Sequence, residues 1–156
     1  IGDWEADTVI GRQGGAVLVT LVERKSRFSL IIKAENKTAT AVSAAMTTAM
    51  SPHAAHVHTL TYDNGKEFAY HLKVSDELEA KGFFAHPYHS WERGLNENTN
   101  GLIRQYLPKG KSFDDLTDQD VVDIMDRLNN RPRKCLGFRT PNEVFRKDKS
   151  DVALAS

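Results

Sequence analysis

The stretch HTLTYDNGKEF, residues 58–68, runs an alternating apolar and polar segment straight into an acid and an Asn-Gly turn. Asn64 and Gly65 both tolerate positive φ, so a turn explains them without any function. It does not explain Asp63. The run His56–Tyr62 reads as a strand ending at Asp63, and the segment before it has helical periodicity. A strand that follows a helix reaches its sheet by a crossover, so this one is expected to lie parallel to a neighbour.

Working back from that strand, residues 38–50 (TATAVSAAMTTAM) place Val42, Ala45, Met46, Ala49 and Met50 at i, i+3, i+4, i+7 and i+8. That is the apolar stripe of a helix, with Thr38 as its cap and Ser51-Pro52 closing it. Further back, Asp3–Ile10 alternates, with Trp4, Ala6, Thr8 and Ile10 on one side and Asp3, Glu5, Asp7 and Val9 on the other. Ala16–Val22 is nearly all apolar, and Phe28–Ile32 follows the charged link ERKSR. These read as three strands of an antiparallel meander, the second buried on both faces.

Downstream, Phe68–Lys81 carries a broken helical pattern, expected to stop at Gly82, and FFAHP (83–87) supplies a fifth strand. One helix lies within Leu95–Leu107, stopped by Pro108. Another starts at the cap Thr117 and runs to Asn129, burying Val121, Ile124, Met125 and Leu128. After the basic loop NNRPRKCLGFRTP, the segment PNEVF forms a last helical turn. The order describes an α/β fold, a mixed five-stranded sheet with helices on its faces.

The 156 residues suit one domain. No apolar run approaches the roughly 20 residues that cross a bilayer. The single cysteine, Cys135, cannot form an internal disulfide and is compatible with a reducing cytosol. The opening IGDWE lacks an initiator Met and a signal peptide, so the chain is expected to be an excised segment of a longer polypeptide. Lys and Arg number 21 against 21 Asp and Glu, a balance that argues against a dedicated nucleic-acid-binding module.

On a helical wheel, Glu97, Asn100, Gly101 and Arg104 share a polar front, opposite Leu95, Leu102 and Tyr106. Such a face is commonly just solvated. It gains interest beside Asp7 on one strand and Asp63 at the mouth of another, because hard divalent cations take carboxylate oxygens. Glu5, Glu92 and Glu67 offer rival trios at similar spacing. Five histidines (His53, His56, His58, His86 and His89) lack the cysteines or closing ligand of a zinc site. Ser90 beside His89 is no hydrolase triad. Trp4 is expected in the core and Trp91 against the sheet.

The residues WEADT, TYDNGKEF and Gly94-x-x-Glu97-x-x-Asn100 resemble the three signatures of the catalytic core shared by DDE transposases and retroviral integrases. The 33 residues between Asp63 and Glu97 (64–96) fit the range of that superfamily. More closely, GDWEADTVIG, LVERKSRF, TYDNGKEFAYH, AHPYHSWERGLNENTNGLIRQYLPKG and LNNRPRKCLGFRTPNEVF resemble bacterial transposases of the insertion sequence thirty family. The likeness covers a core, residues 1–145, and leaves a polar tail, 146–156.

The resemblance implies a ribonuclease H-like fold and DNA strand cleavage followed by strand transfer. It implies two Mg²⁺ or Mn²⁺ ions, with Asp7 bridging them, Asp63 completing one site and Glu97 the other. It also implies element-end and target DNA as partners, a homodimer or larger assembly, and a bacterial cytoplasmic protein, nucleoid-associated when bound to DNA. Asn100, Arg104 and Lys66 are expected near DNA phosphates, as are Lys109 and Lys111 of the loop PKGK and Arg131, Arg133 and Lys134 of the loop RPRK. Two alternatives remain: a ribonuclease H-like nuclease that cuts without joining, and a catalytically silent assembly module.

Overall fold

The structure, a computed structural model, describes residues 1–86 and 94–147. Trp91, Glu92, His89 and Ser90 lie outside the described residues. Three strands, β1 (Asp3–Ile10), β2 (Val17–Glu23) and β3 (Ser29–Ala34), form the antiparallel meander. Helix α1 (Ala39–Met50) then carries the chain across to β4 (Thr59–Tyr62), which pairs parallel with β1. After α2 (His71–Leu78), β5 (Lys81–Phe84) adds parallel to β4, giving the order β3-β2-β1-β4-β5. Helices α3 (Gly94–Ile103), α4 (Asp118–Asn129) and α5 (141–147) follow. The last helix runs two residues past the boundary drawn at 145.

Side-chain alternation sorts the sheet into two interiors. Trp4, Ala6, Val19, Leu21, Leu60 and Tyr62 face α1 and α2 in the larger cluster, which also takes in Phe145 of α5. Val9, Leu18 and Ile31 face α3 and α4 in the smaller one, with Ile103, Phe113, Val121, Ile124 and Leu128. Every residue of β2 is buried, because helices cover both of its faces. Trp4 has no exposed surface and donates its Nε1–H to His56 O (2.9 Å), so its one polar atom is satisfied in the core.

The caps of α1 and α4 are where the local sequence puts them. Thr38 Oγ1 accepts from Ala41 N (3.2 Å). Thr117 and Asp120 form a reciprocal capping box, with Thr117 Oγ1 accepting from Asp120 N (3.1 Å) and Asp120 Oδ2 from Thr117 N (3.0 Å). The bond from the Thr117 backbone, then that from its hydroxyl, holds the Asp120 carboxyl below its usual range.

The strands β2 and β3 each lie one to two residues later than expected, and three further boundaries differ for physical reasons. The fourth strand starts at Thr59, because a 3₁₀ turn, Ser51–His56, prolongs the descent from α1. Helix α2 ends before Gly82, at Glu79, which takes a left-handed φ of 53°. Gly82 belongs to β5, which therefore starts two residues ahead of FFAHP. A Cβ there would stand 3.1 Å from Ser75 Oγ and 3.3 Å from Tyr62 Cε2, so the glycine lets α2 lie close on the sheet. Among the described residues, no helix is long and apolar enough to cross a membrane.

Candidate active site

Asp7 sits on the face of β1 that looks toward α3. Its Oδ2 accepts from Asn100 Nδ2 (3.0 Å) and its Oδ1 from Thr8 N (2.8 Å). Thr20, directly opposite Asp7 on β2, donates its hydroxyl to Asn100 Oδ1 (3.3 Å). Because an ionised carboxylate only accepts, Asp7 fixes the Asn100 amide with its N–H turned to Oδ2 and leaves its oxygen to the Thr20 hydroxyl.

Asp63 comes from β4. Glu5 pairs with Thr61 in the parallel register, and Asp63 follows directly on the end of β4, so the register if continued would set it level with Asp7. Neighbouring strands lie about 4.8 Å apart. Leu60 and Tyr62 point into the α1/α2 core, and the alternation turns Thr61 and Asp63 to the other face, with Asp7. Asp63 Oδ1 accepts from Gly65 N (2.8 Å), closing an Asx turn over the Asn-Gly pair. Asn64 Nδ2 donates to Ala85 O (3.2 Å), pinning the turn to the chain beyond β5.

Glu67 locks this turn. It is buried at 5% exposure, accepts from Thr8 Oγ1 (3.1 Å) and lies 3.5 Å from Lys37 Nζ. A Cβ on Gly65 would fall 2.3 Å from Glu67 Oε2, so the glycine leaves room for that carboxylate. Glu67 thus joins the Asp63 turn to the residue after Asp7. Glu5, at 3% exposure, plays the matching part under α3, accepting from Asn96 N (3.1 Å) through Oε2 and from Arg24 Nε (3.2 Å) through Oε1. A carboxylate at the first turn of a helix also meets the positive end of the helix dipole. Sequence spacing offered both acids only as rivals in the trio. The signal for Glu5 was its position two residues from Asp7 on one strand face, and for Glu67 its place just after the turn.

Helix α3 turns a different face to the sheet from the one its hydrophobicity suggests. The buried residues are Asn96, Thr99 and Ile103, with Asn100 half-buried among them. Leu95, Leu102 and Tyr106, expected to be its apolar back, are only half-buried. The reason is the surface underneath: the sheet presents Glu5, Asp7 and Thr20 there, and polar side chains are the ones that satisfy them. Asn96 is fully buried, and neither atom of its amide finds a partner among the described residues. Glu97 and Gly101 are exposed. Among the described residues, no three His, Cys, Asp or Glu side chains are gathered tightly enough to hold a metal ion. The structure joins Asp7 to Asn100 and leaves Glu97 on the open side of the same helix.

Of the basic residues expected near DNA, Arg104 is engaged inside the protein. It donates to Ile10 O (2.7 Å) and Leu107 O (3.4 Å) and stands 6.0 Å from the centre of the Phe113 ring. Arg133 is half-buried and donates to Leu128 O (3.0 Å); burial first, then the charges of Arg131 and Arg27, lower its pKa. Lys66, Lys109, Lys111, Arg131 and Lys134 are exposed, Lys66 directly after the Asp63 turn.

Comparison with known proteins fits this architecture. No protein-family model matches the chain. It is 47% identical over 157 residues to the transposase for insertion sequence element IS4351 of Bacteroides fragilis, covering 99% of this chain and 48% of that protein. It is 40% identical over 146 residues to transposase InsI for insertion sequence element IS30A of Escherichia coli, covering 93% and 38%. The chain thus spans half or less of the length of these relatives. Among solved structures, the catalytic core domain of BIV integrase superposes with a TM-score of 0.72 at 19% identity, covering 96% of this chain and 97% of that one. The HTLV-2 integrase catalytic core domain in complex with magnesium (trimeric form) gives 0.68 at 19%, covering 91% and 94%. By its sheet the chain has the ribonuclease H-like fold of those integrase cores, and along nearly its whole length its sequence is similar to part of the transposases of IS4351 and IS30A.

Proposed function

We propose that this chain is the catalytic core of a DNA transposase, which cleaves phosphodiester bonds at the ends of a mobile element and joins the freed 3′-OH to target DNA. The observation that carries the reading is the hydrogen bond from Asn100 of α3 to Asp7 on β1, beside the parallel strand β4 that leads into Asp63. The names of the relatives, transposases along nearly the whole chain, support the same reaction class.

The donor set fits a hard divalent cation: Asp7 and Asp63 are carboxylates, half-exposed and so open to water and phosphate. Asp7 and Asp63 would hold Mg²⁺ or Mn²⁺, two ions in the active complex, with Glu97 of α3 as the further ligand. Bound there, the ions would polarise the phosphodiester and supply a nucleophile at neutral pH. An integrase core of this fold has been solved in complex with magnesium, which supports the assignment.

The remaining parts of the site belong to the chain itself. Asn100 and Thr8 N orient the Asp7 carboxylate, and Thr20 orients Asn100. Gly65 N orients Asp63, and Glu67 holds its turn against β1. Arg104 braces the end of β1 against α3. Exposed Lys66, Lys109 and Lys111 supply phosphate contacts, and two element ends call for a dimer or larger assembly. Calorimetric titration of the fragment with Mn²⁺ and Mg²⁺, beside Asp63→Asn, tests the assignment. Binding that the variant loses is expected; equal binding by both proteins would rule the Asp63 site out.

A further inference from the structure

The loop after α4 folds back on itself, with Arg133 N donating to Arg139 O (3.0 Å) and Phe138 N to Arg133 O (2.9 Å). A 3₁₀ turn, Lys134–Leu136, seats Leu136 in the interior, and Gly137 and Phe138 follow at positive φ, 63° and 65°. Glycine takes that conformation freely, but a bulky aromatic does so at a cost. Packing does not offset the cost here. Phe138 is 71% exposed, the most exposed large apolar side chain among the described residues. A ring held in a strained backbone position and turned to solvent is the kind of outlier that marks a binding surface.

Its surroundings are cationic. Arg131, Arg133, Lys134 and Arg139 lie on the same loop. Arg27 comes from the β2–β3 turn, whose exit is tied to the end of α4 by two bonds between the Asn129 amide and the Ser29 backbone (2.8 Å each). Arg27 is near enough that its charge bears on Arg133. Among the described residues the four guanidinium groups donate to neutral oxygens, those of Arg24 O, Gln105, Leu128 O and Leu136 O. None of the four has a carboxylate partner among the described residues.

We propose that this loop and the β2–β3 turn form a binding site for an unpaired stretch of DNA, with a base stacked on Phe138 and flanking phosphates on Arg27, Arg131, Arg133, Lys134 and Arg139. Uncompensated cations select a polyanion, and an exposed ring among them selects one whose bases are free to stack. A closed duplex has no use for the ring. The inference rests on the reading of this chain as a DNA-processing core, where cutting one strand near a duplex end leaves bases to be held.

Fluorescence anisotropy with a labelled oligothymidylate, and with a duplex of equal length, tests it in the presence of a chelator. Phe138→Gly suits the left-handed backbone and removes only the ring, so its melting temperature is expected to equal or exceed that of the wild type. Its single-strand affinity is expected to fall about tenfold or more, within what one base–aromatic stack contributes, while duplex binding holds. Lys134→Ala is expected to weaken both and to flatten the single-strand salt slope by about 0.7. Equal single-strand binding by Phe138→Gly and the wild type overturns the proposal, as does an equal loss on both DNAs. So does a change in self-association without a change in DNA binding, which would make the ring a contact between copies. No metal is needed, so repeating the assay on Asp63→Asn separates failure of the acidic site from failure of this one.

Discussion

Replacing Asn100 by Asp tests the geometry around Asp7 most directly. The Asn100 amide nitrogen stands 3.0 Å from Asp7 Oδ2. The substitution puts a second carboxylate oxygen there, so an attraction becomes a repulsion. Two unit charges at that distance repel by about 5.5 kcal/mol at the effective dielectric near a protein surface and by about 1.4 kcal/mol in water. Both residues are half-buried and the new side chain can rotate away, so a loss of about 2 kcal/mol is expected. In a domain of this size each kcal/mol moves the melting temperature by about 2–4 °C, which gives a drop of about 4–8 °C. Thermal melting by circular dichroism in chelator reads the drop. Mildly acid pH is expected to reduce it, because two close carboxylates can share one proton. Millimolar Mg²⁺ or Mn²⁺ is expected to reverse it, since a ligand at 100 times its dissociation constant returns about 2.7 kcal/mol. An unchanged melting temperature in chelator would mean that Asn100 does not face Asp7. A drop relieved by neither acid nor metal would mean lost packing, and the electrostatic account would be wrong.

Two further outcomes follow from buried groups. Asn129→Ala leaves the N–H and C=O of Ser29 unpaired in the interior, at about 1–3 kcal/mol each; a urea midpoint close to that of the wild type would show that water replaces the amide. Burial pushes the Tyr62 hydroxyl up to about 12, with Ser75 pulling the other way. The unfolded chain ionises near 10, so the native state holds its proton longer, and stability present below pH 10 is lost as pH rises toward 12, at roughly 1.4 kcal/mol per pH unit. Tyr62→Phe is expected to flatten that alkaline limb in denaturant midpoints measured against pH, and an identical limb would assign it elsewhere.

The parts of the fold that were legible in the sequence are those whose signal is local. Thr38 and Thr117 announce their helices because a cap is read from a few residues. The parallel pairing of β4 with β1 followed from the helix before it, and it sets the exit of β4 into the Asp63 turn on the β1 side of the sheet. Gly82 misled because a glycine that ends a helix and a glycine that lets a helix approach a strand look alike until the third dimension is known. The face of α3 was misjudged for a related reason. Apolar periodicity finds the buried side of a helix only where the surface below is apolar, and here it is Glu5, Asp7 and Thr20. The inward turn of Arg104 was equally hidden, since its partners are backbone carbonyls that carry no mark in sequence.

The polar footing of α3 also makes the helix uneven in strength. Its C-terminal part is anchored by Ile103 and, just beyond it, Leu107, buried in the smaller core, while its first turns rest on Asn96, Thr99 and Asn100 over carboxylates. Contacts of that kind are exchanged with water at little net cost, so amide protons near Glu97 should exchange through cheaper local openings than those near Ile103. Glu97 therefore rides on the end of its helix expected to open more readily, while Asp7 rides on the sheet. Whatever tightens those first turns adds its own free energy to the ordering of Glu97, so in the proposed site that ligand would be the one an incoming substrate could adjust.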